Sequence, residues 1–188
     1  MRMKARLLGA ILFLLIPSTA YSVEYRTFFG VDAIKMDTEL SYSNGSESYE
    51  YTGLRLRYGI ESDEGGSAGL EFIPALSDET VDTFGQPFEL ELGPSLGGYI
   101  TVGKLVYVRL GVSFSDSTYT DLSTGLSDSD VLLVIDVGLG FNYGVTRDIT
   151  LYGEWNRRTS SEADYSTFFS EDIDNESDVI SLGFNYKF

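Results

Sequence analysis

Apolar and polar residues alternate with a period of two along most of the chain after Ser22, and no helical periodicity of any length interrupts them. The last stretch is the cleanest: Ile180, Leu182, Phe184, Tyr186 and Phe188 alternate with Ser181, Gly183, Asn185 and Lys187. Such a segment, extended, carries one apolar and one polar face. Seven earlier runs alternate in the same way, and together they predict eight strands, at about Glu24–Asp37, Tyr49–Glu61, Ser67–Leu76, Phe88–Val102, Lys104–Asp116, Asp130–Tyr143, Asp148–Arg158 and Ser177–Phe188. The links between them alternate in length. Ser62–Gly66, Val102–Lys104 and Gly144–Arg147 are short, whereas Thr38–Ser48, Ser77–Pro87, Ser117–Ser129 and Thr159–Ser177 are long. A soluble sandwich has no reason to sort its loops by length. A barrel crossing a membrane does, with short turns and both termini on one side and long loops on the other.

The apolar faces are long: Val131, Leu133, Ile135, Val137, Leu139, Phe141 and Tyr143 form seven consecutive positions in the sixth run. Pointed at lipid, these faces leave the opposite ones to enclose Arg26, Arg55, Arg57 and Arg109 with Asp32, Glu71, Glu91, Asp136 and Glu154. Buried charges need partners of opposite sign, and this set holds both signs in similar number. An eight-strand barrel is only wide enough for its own side chains to fill. The expectation is a hydrogen-bonded, charged plug in place of an open channel. Aromatics near the run ends, among them Tyr25, Tyr58, Phe88, Phe114, Tyr143, Trp155 and Tyr186, suit interfacial girdles.

The N-terminus changes the picture. Arg2, Lys4 and Arg6 precede an apolar run from Leu7 to Ile16, followed by Pro17 and small residues. This has the charged, apolar and cleavage regions of a secretory signal and is too short to span a bilayer. Residues 1–22 are therefore expected to be removed, with cleavage after Ser22 or after Ala20, leaving a barrel domain over 23–188. Removing three basic and no acidic residues takes the net charge from −16 to −19, which speaks against a nucleic-acid partner. The chain has no Cys, so an exported fold must hold without disulfides. It has no His, which excludes Ser/His and Cys/His nucleophilic chemistry and His-based zinc sites.

With the C-terminal Phe188 preceded by Tyr186 and Phe184 at two-residue spacing, the chain resembles the small OmpA-like and OmpX-like, porin-like outer-membrane β-barrel family of Gram-negative bacteria. The resemblance spans Val23 to Phe188. It implies an all-β, eight-stranded antiparallel up-and-down transmembrane barrel, non-enzymatic and acting in envelope integrity and surface interaction. It also implies that the barrel assembly machinery reads Phe184, Tyr186 and Phe188. The outer-membrane enzymes of this architecture rely on a His that this chain lacks. The expected partners are outer-membrane lipid and lipopolysaccharide, with divalent cations or host surface molecules at the loops and no cofactor, and a closed barrel has no edge that needs a second copy. A narrow or gated pore and a soluble exported ligand-binding barrel are the alternatives.

The stretch from Thr159 to Asp178 concentrates acid: Glu162, Asp164, Glu171, Asp172, Asp174, Glu176 and Asp178, with no Lys or Arg among them. Asp172, Asp174 and Glu176 resemble the start of a calcium loop but lack its Gly and distal Glu. A solvated charged loop explains them better. Tyr165, Phe168 and Phe169 in the same stretch either contact a partner or pack on their own loop. Glu71, Glu91, Asp136 and Glu154 supply carboxylates for a hydrolase, but nothing in their spacing selects that over filling a lumen. The barrel reading predicts that protein folded in detergent micelles migrates faster on a gel unboiled than boiled, and resists protease outside the long links. A protein that stays soluble without detergent and shows no mobility shift would instead have its apolar faces inside.

Overall fold

The computed structural model describes residues 24–42, 45–74, 79–83, 86–160 and 174–188. The signal segment and its cleavage site lie outside these residues. Every regular element among the described residues is a strand: β1 (Tyr25–Tyr42), β2 (Gly45–Ser62), β3 (Ser67–Ile73), β4 (Glu79–Thr83), β5 (Gln86–Val102), β6 (Val106–Asp121), β7 (Leu126–Gly144), β8 (Ile149–Ser160) and β9 (Asp174–Lys187). All neighbours pair antiparallel. β9 pairs back on β1, and β3 and β4 both pair with β5, in succession along it, so nine strands occupy eight positions of a closed wall.

Paired residues followed once round the wall, from Phe28 through Gly59, Gly69, Tyr99, Gly111, Asp136, Arg158 and Ser177, return to β1 at Thr38, ten residues further on. A stagger of that size over eight strands tilts them by about 40° from the barrel axis. Phe28, Tyr99, Asp136, Ser177 and Thr38 on this path are all buried, so it traces the inner surface. The opposite parity carries Leu54, Leu70, Leu96, Val108, Val137 and Leu182, all exposed on the outside. An apolar outer wall around a polar interior is the arrangement of a membrane barrel and excludes the soluble ligand-binding alternative.

The strands run further than the alternation predicts. β1 reaches Tyr42, β2 starts at Gly45, β6 reaches Asp121 and β7 starts at Leu126, so most of the two long links expected at Thr38–Ser48 and Ser117–Ser129 is ladder. On β6 and β7 the ladder runs on through residues that are mostly Ser, Thr and Asp on both faces, and on β1 and β2 the reason is a change of sides. On β1 the outward residues pass from Phe29, Val31 and Ala33 to Lys35, Asp37 and Glu39, while the inward ones pass from Asp32 to Ile34 and Met36. On β2, likewise, Leu54 gives way outside to Thr52 and Glu50, and inside Arg55 gives way to Tyr51 and Tyr49. Backbone parity never breaks, but the apolar face moves from the lipid side to the lumen side, and in the sequence this looks like a strand end.

β5 departs in a second way. Its ladder with β6 shifts between Leu92 and Ser95, where Gly93 and Pro94 form a bulge. Proline cannot donate to the ladder and is tolerated at such a point, and the extra residue inverts the parity beyond it. Leu92 is consequently buried and Glu91 exposed, so Glu91 does not belong to the lumen set in which its sequence parity places it.

The turns are tight where the register demands it. Gly103, between β5 and β6, has φ +121°, which an L side chain rarely adopts. Between β6 and β7, Asp121 Oδ1 accepts from Ser123 Oγ (2.6 Å) and Ser123 N (2.7 Å), and Oδ2 accepts from Thr124 Oγ1 (2.8 Å). These bonds, those from Ser123 and Thr124 foremost, hold the Asp121 carboxyl below the usual carboxylate range.

Inward glycines make room for large lumen side chains. A Cβ at Gly140 would strike the ring of Tyr107, and one at Gly111 would strike the carboxylate of Asp136. Gly140→Val is expected to destabilise the barrel by about 1–3 kcal/mol through overpacking, read as the urea midpoint of the gel-shifted form. Gly98→Ala, whose Cβ meets only the Gly69 carbonyl at 3.6 Å, should leave that midpoint unchanged.

Candidate functional site

The interior holds two stacked layers. In the lower one, nearer the short turns, β2 supplies Arg55 and Arg57, β6 supplies Arg109, and the carboxylates come from β1 (Asp32), β3 (Glu71), β7 (Asp136) and β8 (Glu154). All seven side chains are buried, none more than 3% exposed. Arg55 is the hub: Nε donates to Asp32 Oδ2 (2.8 Å), and Nη2 donates to Glu154 Oε1 (2.7 Å) and Ser181 Oγ (3.0 Å). Its Nη1 reaches Glu71 Oε2 at 3.5 Å. Arg109 donates through Nη2 to Glu71 Oε2 (2.6 Å) and through Nε to Asp136 Oδ1 (2.8 Å). Glu154 also accepts from Tyr107 Oη (2.9 Å) and Asn156 Nδ2 (2.8 Å).

Arg57 is held differently. Its guanidinium lies 3.7 Å from the centroid of the Tyr152 ring and 5.4 Å from that of Tyr99, and its ion pairs with Glu154 and Asp32 are long, 3.6 and 3.8 Å. Arg109 sits 4.4 Å from the Tyr99 centroid. Aromatic faces thus carry part of the cation stabilisation. Arg158 joins this layer from β8, donating to Ser113 Oγ at 2.9 Å opposite its ladder partner Asp136. It is missing from the sequence-derived set although it shares parity with Glu154 and Asn156, which was signal enough to place it inside. With it, four arginines meet four carboxylates, the balance a buried network requires.

Arg26, expected in the same plug, sits at the mouth beside the short turns, about one-third exposed and paired with Asp148 at 2.6 Å. Asp32, Arg55, Arg57, Glu71, Arg109, Asp136 and Glu154 come together as their parity predicts.

The upper layer is apolar. Ile34, Met36, Tyr49, Tyr51, Ile73, Leu92, Tyr119, Leu132, Val134 and Val179 form one buried cluster. The sequence reading expects charge and small gaps throughout the lumen, so this layer is a correction, and its cause is the change of sides described for β1 and β2. Outside it, Lys35 pairs with Glu50 (2.8 Å) and Asp37 (3.5 Å), and Arg157 pairs with Glu176 and with Asp178 at 3.8 Å. Glu176 is therefore an outward residue with an arginine partner. Asp172 lies outside the described residues, as do Tyr165, Phe168 and Phe169, and of Asp174 only the backbone is described. Among the described residues, no three acidic side chains converge as metal ligands.

At the seam, Phe184, Tyr186 and Phe188 all face outward. The Phe188 N–H donates to Thr27 O at 2.9 Å, and the rings of Tyr186 and Phe188 stack with centroids 6.5 Å apart.

A closed wall with an apolar outer face agrees in fold with known proteins. The family described as outer membrane protein beta-barrel domain matches residues 8–188. The chain belongs to this outer-membrane barrel family. Among solved structures, Neisserial surface protein A is 17% identical with a TM-score of 0.56, covering 85% of this chain and 97% of its own. Ail, the attachment invasion locus protein of Yersinia pestis, is 13% identical with a TM-score of 0.52, covering 86% of this chain and 98% of its own. At these identities the likeness is one of fold. No curated protein matches the sequence. The chain is an integral barrel of the bacterial outer membrane.

Removing one partner of this outer-membrane barrel's network leaves a buried charge unpaired. Arg109→Met is expected to cost about 3–5 kcal/mol, measured by urea titration in micelles. Adding Glu71→Gln should recover part of that loss, and two additive single losses would show that the pair is not coupled.

Proposed function

We propose that this protein is a non-enzymatic scaffold of the outer membrane that contributes to envelope integrity and meets cationic partners through an acidic extracellular collar and loops. The observation that carries the reading is the outer surface above the lipid belt. There Asp37, Glu39, Glu50, Glu176 and Asp178 face outward on the adjacent strands β2, β1 and β9, with Lys35 and Arg157 as the cations between them. The whole chain's net charge of −16 points the same way. A surface of one sign attracts partners of the other at a salt-dependent rate. A structure of Ail has been solved in complex with the heparin analogue sucrose octasulfate, a polyanion. An acidic collar suits the opposite class of partner.

The collar stands where the sugar and phosphate of lipopolysaccharide lie, so divalent cations bridging carboxylate to phosphate belong to the same reading. Delivery by the barrel assembly machinery through Phe184, Tyr186 and Phe188, and a monomeric state, complete it. The non-enzymatic part rests on how the lumen carboxylates are held: Asp32, Glu71, Asp136 and Glu154 all accept from guanidinium groups, which suits structure better than proton exchange.

The test is binding of polylysine and of a sulfated polysaccharide to the barrel in lipid nanodiscs. Polylysine should bind, and its affinity should fall steeply as salt rises. The Asp37→Asn, Glu50→Gln, Glu176→Gln triple variant should bind about tenfold more weakly. Equal polylysine binding by the variant and the unaltered barrel, or tighter binding of the sulfated polysaccharide, would overturn the reading.

A further inference from the structure

The two lumen layers differ in how they treat water, and the difference locates the barrier between the two sides of the membrane. In the lower layer many buried polar atoms make no hydrogen bond to protein: Asp32 Oδ1 and Arg57 Nε, which face each other at 3.8 Å, Arg109 Nη1, Asp136 Oδ2, Asn156 Oδ1 and the hydroxyl of Tyr152. Groups of this kind are satisfied by internal water. Below them a small cleft at the mouth beside the short turns, lined by Arg57, Thr101, Tyr107 and Asn185 among others, brings the periplasmic side up to the lower edge of this layer. The upper layer has the opposite character. Met36, Tyr51, Ile73, Leu132, Val134 and Val179 converge from β1, β2, β3, β7 and β9, none more than 7% exposed. Apolar constrictions of this sort exclude ions by staying dry, since an ion stripped of water without compensating ligands is strongly disfavoured.

We infer that the ion-tight seal of this barrel is the apolar layer at its extracellular end, and that the ion-pair layer beneath it is a floor reached by periplasmic water. The seal then does not depend on the salt bridges: breaking them leaves the barrel closed. This inference is independent of which partner the acidic collar meets, and its test reads permeation, so the two stand or fall separately.

The chain lacks cysteine, so a single introduced thiol reports access without background. Ser181 is buried at the level of Arg55 and accepts its hydrogen bond, and Ser181→Cys is close to isosteric. In vesicles with the barrel in one orientation, a charged, membrane-impermeant methanethiosulfonate should modify Ser181→Cys from the periplasmic side and not from the extracellular side. Adding Met36→Ser, Leu132→Ser and Val134→Ser should raise the extracellular rate at least tenfold. In planar bilayers, Arg55→Ala with Glu154→Ala should give no conductance steps, and the same pair with the three serine substitutions should give them. Modification of Ser181→Cys from outside in the otherwise native barrel would overturn the inference, as would its protection from the periplasmic side, or conductance from the Arg55, Glu154 variant alone. The gel mobility shift checks that each variant folds. If the serine variant does not fold, the sidedness of Ser181→Cys and the silence of the charge variant still decide.

Discussion

A chain inside hydrocarbon must satisfy every backbone N–H and C=O from its own atoms, and for strands the only solution is a ladder that closes on itself. Here β9 returns to β1, and β3 bridges β2 to β5, so the ladder closes on itself round all eight positions at the level of β3. Closure with eight positions and a stagger of ten residues fixes the radius and tilt. Those fix how much side chain the interior holds, and the rest of the molecule answers to that volume. It is small enough that arginine, tyrosine and glutamate fill it, with glycines such as Gly111 and Gly140 standing where a larger neighbour would collide.

Within that volume the charged layer is held together by mutual need. Arg55 bridges Asp32 and Glu154, Arg109 bridges Glu71 and Asp136, and these four carboxylates come from four different strands. Arg55–Glu154 and Arg109–Glu71 tie strands that are not neighbours in the wall, whereas Arg55–Asp32 and Arg109–Asp136 join adjacent ones. Desolvating such ions costs several kcal/mol each and is offset only by good geometry and further hydrogen bonds. Tyr99, Tyr107 and Tyr152 contribute to that offset, through ring faces against guanidinium groups and through a hydroxyl donated to Glu154.

The vertical division of the barrel follows from its surroundings. Where lipid surrounds the wall, the wall is apolar outside and charged inside. Where the wall rises beyond lipid, Lys35, Asp37, Glu50 and Arg157 face out and Met36, Tyr51 and Leu132 face in, as in a water-soluble barrel. One continuous ladder serves two solvents. The lower half draws its stability from ion pairs and lipid contact, and the upper half from an apolar core.

Period-two alternation and loop asymmetry determined the architecture: eight wall positions, facing in the lipid belt, and seven of the lumen charges at their right parity. Three things were decided only in the folded chain. The upper extents of β1 and β2 depend on an exchange of apolar and polar faces that leaves backbone parity intact, and those of β6 and β7 on ladder that runs on through Ser, Thr and Asp at most positions of both faces; a linear reading takes either for a loop. The facing of Glu91 and Leu92 depends on a one-residue bulge at Pro94, visible only against the register of β6. Which charges meet, and that Arg26 pairs with Asp148 at the rim while Arg158 lies inside, depends on the stagger. Alternation along a strand says which side a residue takes. How high it stands among residues of other strands is a property of the closed barrel, because stagger is a relation between strands and is written in none of them alone.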